Sequence, residues 1–306
     1  MAERAGGGAD TRRRARSRLK RVEAPAIVNC VHPCSGLCGQ IGRAAVLVQM
    51  LVDFKNSMHP DVFARSEIAS WAAQHVDASG HDPARIVDVG LGGAEDLLAL
   101  KAATRNREVS LYGVECNPTR IEDARSRGIE VFAVDIEHER IPIPDASLDV
   151  VMANHVVEHL KELFFFFSEV SRVLRPGGIC IIGCPNLGSW HNRLALLFGE
   201  EPPCIRVLGS HVRGITIPGF KRFIEHDGYF RVERVKGRAF YLAPGALSQG
   251  LANLFPGLGA AVHFVMSRTD KPGTFIEVLD TVPGIQDTPY FRGAAPTPPP
   301  EPRAAA

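Results

Sequence analysis

The stretch Arg85-Ile-Val-Asp-Val-Gly-Leu-Gly-Gly-Ala94 constrains this chain more than any other, because an apolar run ending in closely spaced glycines is how a buried strand turns tightly into a helix. Gly90 and Gly92 carry the turn. Ile86, Val87 and Val89 suit a strand covered on both faces, and Glu95 to Leu100 begins a helix whose free backbone N–H groups point back at the turn. Glycine there removes the Cβ that would block close approach of a ligand. A tight turn that binds nothing needs the same glycines, so the motif alone leaves both readings open.

Short apolar runs and helical stretches then alternate. Strands are expected at 85–90, 109–115, 130–134, 148–153 and 178–183, with helices at 94–104, 118–127 and 160–175 between them. Helices at 43–57 and 60–78 precede this core, and a helix at 217–227 with strands at 229–235 and 261–267 follows it. The pattern predicts an α/β fold: a Rossmann-like, doubly wound, mostly parallel seven-stranded sheet with an antiparallel final strand and helices on both faces. The chain divides into a basic tail and Cys-containing entry segment (1–40), N-terminal helices (41–84), a core (85–270) with an insertion at 185–216, and a Pro/Ala-rich tail (271–306) expected to be disordered.

In such sheets ligands lie beyond the carboxyl ends of the strands, so the groups that follow each apolar run matter most. Asp88 stands two residues before Gly90. The second strand ends in Glu115, where a carboxylate can accept hydrogen bonds from ribose hydroxyls, and Cys116 follows it. The third ends in Asp135 and Ile136, and the fourth opens into Asn154-His-Val-Val-Glu-His-Leu160.

An acidic residue followed by Gly-x-Gly-x-Gly resembles the first motif of class I S-adenosylmethionine (SAM)-dependent methyltransferases, with Ala94 at the third glycine. The 154–160 segment is similar, nearly residue for residue, to the post-strand-four motif of the small-molecule members with a type 11-like domain. The resemblance spans roughly residues 60–270 and implies SAM as cofactor. It implies that Asp88, Gly90, Leu91, Gly92, Glu115, Cys116, Asp135, Ile136, Asn154 and His155 bind it, with Asp135 near the adenine amino group and Ile136 against the ring. Arg172-Val-Leu-Arg-Pro-Gly-Gly178 is a further family landmark that explains itself as a helix stop and turn. Members acting on amino groups of nucleic-acid bases or protein glutamine show Asn/Asp-Pro-Pro-Tyr/Phe after strand four, which this chain lacks.

The resemblance implies a methyl acceptor that is a small or lipid/glycan-linked molecule, with oxygen the expected atom. His155 and then His191 are the candidate bases, ahead of His159, which could face the sheet. The insertion offers Trp190, His191, Arg193, Arg206, His211 and Arg213 as acceptor-side residues, on a helix that Ser189 can cap through Phe198. Two rival readings remain. A NAD-dependent sugar-modifying enzyme is opposed by Glu95 at the sixth position of a dinucleotide fingerprint and by the lack of a Tyr-x-x-x-Lys pair. A non-catalytic protein that kept the fold is opposed by intact Asp88 and Gly90.

A net charge of +1 predicts no general attraction to nucleic acid, leaving only a weak contact for the Arg-rich tail at 12–21. No apolar run reaches the ~18 residues of a membrane span. Seven cysteines, an odd number, suit a reducing compartment, so a cytoplasmic location is expected. Cys30, Cys34 and Cys38 invite a metal reading, but their spacing is non-standard and only His32 is near as a fourth ligand, so no metal is expected.

Overall fold

A computed structural model describes residues 63–104, 107–241 and 243–293. The expected helix at 43–57, the basic tail and Cys30, Cys34 and Cys38 lie outside the described residues. Seven strands form one sheet in the order β3-β2-β1-β4-β5-β7-β6. They are β1 (Ala84–Val89), β2 (Val109–Glu115), β3 (Glu130–Ala133), β4 (Leu148–Asn154), β5 (Leu174–Pro185), β6 (Phe230–Arg238) and β7 (Ala261–Arg268). Only β7 runs antiparallel to its neighbours. The order reverses beside β1, and that switch point opens a crevice at the carboxyl edge.

Strand alternation divides the core into two layers. Ile86, Val150, Met152, Ile179 and Ile181 face one side. There they meet α1 (Arg65–Ser79), α2 (Glu95–Ala103) and α3 (Pro118–Ser126) through Ile68, Trp71, Leu97, Leu100 and Ile121. Val87, Val151, Cys180, Ile182 and Phe264 face the other side, against α4 (Leu163–Val173) and α6 (Ile217–Ile224). Local chemistry starts two of these helices. The Asn117 side chain accepts from Thr119 N at 3.0 Å with Pro118 at the first helical position, and Thr216 Oγ1 accepts from Gly219 N at 3.2 Å.

Three expectations need correction. Helix α4 starts at Leu163 rather than 160, because 155–162 is taken up by a loop that folds over the sheet edge. Ser189 occupies the N-cap position of α5 (Trp190–Leu197) but makes no side-chain cap; its Oγ lies 3.3 Å from His191 Nε2 instead. Residues 271–293 are folded rather than a tail. Phe275 is fully buried among Phe164, Phe167, Phe223 and Phe230, and Val278 and Leu279 are buried beside it. A capping box between Thr274 and Glu277, and a 2.6 Å hydrogen bond from Tyr229 Oη to Glu277, anchor the segment. Phe165 packs edge-on against Phe291 of the same segment.

The Phe275 contacts predict that Phe275→Ala costs about 3–5 kcal/mol of stability in urea unfolding of the full chain. A loss below about 0.5 kcal/mol would make the segment peripheral.

Candidate active site

The turn after β1 is drawn tightly into the crevice. Gly90 N and Leu91 N both donate to Val114 O, at 2.8 and 3.2 Å, which ties the turn to the end of β2. Gly90 has φ +71°, and a Cβ there would stand 2.5 Å from Val156 Cγ2. The turn therefore touches the post-β4 loop directly. Ala94, in place of a third glycine, takes a left-handed φ of 63° at the N-cap of α2. Leu91 is buried and reaches Gly113 of β2, where a Cβ would lie 2.7 Å from its Cδ2. Glu95 folds back over Gly93, which sets a carboxylate at the helix start where a dinucleotide's pyrophosphate would need to sit.

Glu115 is buried and its carboxylate is held in place by backbone. Oε1 accepts from Cys116 N and Asn117 N, both at 3.0 Å, and Oε2 accepts from Gly92 N at 3.2 Å. Two lone pairs on Oε1 are thereby occupied, so Oε2 is the oxygen with capacity for an incoming hydroxyl. Asp135 is exposed at the end of β3; the amide N–H of Glu137 and the nearby His138 hold its carboxyl below the usual range. Ile136 is half-buried beside it and Cys116 is exposed.

At the end of β4, Asn154 Nδ2 donates to Phe63 O and to Asp96 Oδ2, both at 3.0 Å, and its Oδ1 is buried without a partner. Asp96, in the first turn of α2, also meets Arg65 Nε at 3.5 Å. His155 adopts φ 58°, a strained conformation for a non-glycine residue, fixed by its N–H to Gly183 O at 2.8 Å. Its Nδ1 lies 3.1 Å from Glu158 Oε1. A carboxylate there accepts from Nδ1, and in the neutral ring this tautomer leaves the lone pair on Nε2, which is buried and unpartnered. Phe63 packs edge-on against the ring at 4.7 Å.

Sequence reading missed His263, a polar residue in the apolar first half of the inner strand β7. It is buried beneath Gly183, whose Cβ would stand 2.8 Å from its Cδ2. Burial, then the neighbouring His155 and Arg238, push it down to about 3, so it is neutral. Asp96 and Glu158 were also missed; each is a carboxylate brought in by the turn or loop rather than by a strand end. His159 does not face the sheet. It turns toward the insertion, with Nδ1 3.1 Å from Ser210 O and its ring edge-on to His211 at 4.7 Å.

The second candidate base, His191, is buried on α5. Its ring packs on Tyr241 at 4.1 Å, next to a stack of Trp190 on Phe240. The Arg213 guanidinium donates to the carbonyls of Leu160 and Lys161, which holds it against the post-β4 loop. Arg193 likewise donates to Gly188 O. Arg172 and Arg175 are structural, as expected of their landmark. Arg172 clamps Glu169, Asp145 and the carbonyls of Ile141 and Ile143, while Arg175 pairs with fully buried Asp149 at 2.7 Å.

Asp88 is buried, and burial followed by the negative charges of Asp96, Glu95 and Glu115 holds its carboxyl well above the usual range. The folded chain thus binds this proton more tightly than the unfolded one. The stability it contributes is complete below the ordinary carboxylate pKa of 3.8 and is lost as pH rises through the raised folded value. Asp88→Asn should therefore exceed the wild type in urea midpoint at pH 8, with the gap narrowing as pH falls. A gap independent of pH would contradict this account of Asp88.

A family model described as a methyltransferase domain matches residues 87–182. A probable S-adenosylmethionine-dependent methyltransferase from Mycolicibacterium smegmatis is 50% identical over 107 residues, 34% of this chain and 38% of that protein. A 27-O-demethylrifamycin SV methyltransferase from Amycolatopsis mediterranei is 31% identical, over 32% of this chain and 38% of that protein. A probable S-adenosylmethionine-dependent methyltransferase from Mycobacterium tuberculosis is 36% identical, over 32% of this chain and 33% of that protein. The matches thus span well under half the length of these curated relatives. The matched segment runs from β1 to β5 and holds the glycine turn, Glu115, Asp135 and the post-β4 loop; over these residues the chain is similar to S-adenosylmethionine-dependent methyltransferases.

Proposed function

We propose that the chain transfers a methyl group from SAM to an oxygen of a small or lipid/glycan-linked acceptor. The observation that carries the cofactor assignment is Glu115: a buried carboxylate fixed by three backbone amides beside the glycine turn, with Oε2 left to accept from ribose. Asp135 and Ile136 then serve the adenine end, and Asn154 and His155 the methionine end. Glu95 over the turn argues against a pyrophosphate and so against NAD. Isothermal calorimetry with SAM and with NAD tests this directly; binding of NAD alone would refute it.

The methyl donor is a sulfonium, already activated, so the protein's task is alignment, exclusion of water and removal of the acceptor proton. Oxygen is favoured by the His155–Glu158 pair, since a neutral hydroxyl gains from a base whereas many other acceptors do not. The carboxylate orients the imidazole and leaves Nε2 free to take a proton, the arrangement in which a third group positions a base. The oxygen methylation in the name of the rifamycin relative supports the same choice. The acceptor side is formed by the insertion, where Trp190 and His191, with Tyr241 from the segment after β6, provide an aromatic wall. No helix among the described residues is long and apolar enough to cross a membrane. A cytoplasmic location is part of this reading.

Two outcomes follow. Glu115→Ala should weaken SAM binding by about 1–3 kcal/mol, because a charged acceptor is lost from buried hydroxyls; calorimetry showing unchanged affinity would remove Glu115 from the site. His155→Ala should lower kcat roughly 10²- to 10⁴-fold while SAM affinity changes little. Parallel loss of binding and turnover would place His155 in the cofactor pocket alone.

A further inference from the structure

The post-β4 loop and the insertion meet at a second cluster that shares only Glu158 with the proposed methyl transfer. Glu158, His159 and His211 each bring one ligand atom to within 4.8 Å of the others. The tautomer of both rings is set by what they face. His159 Nδ1 lies 3.1 Å from Ser210 O and His211 Nδ1 lies 2.8 Å from Cys204 O. A carbonyl only accepts, so each Nδ1 bears a proton, and in the neutral ring Nε2 is the nitrogen that holds the lone pair. Backbone carbonyls play this role behind metal-bound histidines, fixing tautomer and ring orientation.

The third group supplies an independent sign. Glu158 is 1% exposed, its Oε1 is spent on His155, and its Oε2 is buried with no hydrogen-bond partner. A buried carboxylate oxygen without a donor is costly, and a cation would satisfy it. The backbone around the cluster is already braced. Val212 N and Arg213 N both donate to Glu158 O, at 2.8 and 3.2 Å, and Arg213 Nε donates to Leu160 O at 3.2 Å. Bonds of about 2.0–2.1 Å to a tetrahedral ion need closer ligand atoms than 4.8 Å, so the side chains must draw together slightly on binding.

We propose that Glu158 Oε2, His159 Nε2 and His211 Nε2 bind one divalent transition-metal ion of the zinc class, which ties the insertion loop to the post-β4 loop. Two imidazoles and one carboxylate suit zinc or cobalt better than magnesium or calcium, which prefer all-oxygen shells. The sequence gives no hint of this set, because His211 is 52 residues from His159 and the pair becomes adjacent only in the fold.

The full-length chain, stripped with EDTA and dialysed, would be titrated with Zn²⁺ against a chromophoric chelator. One equivalent should bind, and His159→Ala and His211→Ala should each weaken binding at least about 100-fold. A Cys30→Ser/Cys34→Ser/Cys38→Ser variant should bind as the wild type does. Co²⁺ should give ligand-field bands without thiolate charge transfer. Melting curves without metal should coincide for His211→Ala and wild type, which separates ligand loss from misfolding. Absence of one-equivalent binding, or binding that survives His211→Ala and is lost in the cysteine variant, would overturn the proposal. None of these readouts depends on SAM or turnover.

Discussion

The site depends on one close contact between the β1 turn and the post-β4 loop. Gly90 leaves no room for a Cβ against Val156 Cγ2, and the turn's two amides are tied to Val114 O. That contact brings three strand ends together: Asp88 from β1, Glu115 from β2 through its bond to Gly92, and Asn154 from β4 through Asp96. Close packing makes the arrangement all-or-none, since a side chain at Gly90 would push the loop carrying His155 and Glu158 away from the crevice.

Charge accumulates where that contact forms. Asp88, Glu95, Asp96 and Glu115 crowd the start of α2, and burial raises the carboxyls of Asp88 and Asp96. A helix N-terminus favours negative charge, but this one receives several carboxylates at once. An anionic phosphate would add to the repulsion. A sulfonium carries positive charge, so the same field that disfavours a dinucleotide suits SAM.

Much of this was legible along the chain because it is local. The five strands from β1 to β5, the glycine turn and the strand-end acids all lie at or next to short apolar runs, and each was placed within a few residues. What escaped was set by long-range packing. Residues 271–293 look like a tail from their prolines and glycines, yet Phe275 completes an aromatic cluster with Phe164 and Phe167 from a helix a hundred residues earlier. His263 is unremarkable on its strand and becomes part of the site only because β7 inserts between β5 and β6. The partnership of His155 with Glu158 was invisible for another reason: 155–162 is a loop, and its backbone, with His155 at φ 58°, decides which side chains meet.

The most direct measurement is amide hydrogen exchange on the full chain with and without S-adenosylhomocysteine, the product-side analogue of the proposed cofactor. The account predicts new protection confined to three segments, 88–96, 113–117 and 133–137, with the Gly92 and Cys116 amides among those slowed. Saturating ligand that leaves these three segments unchanged would contradict it.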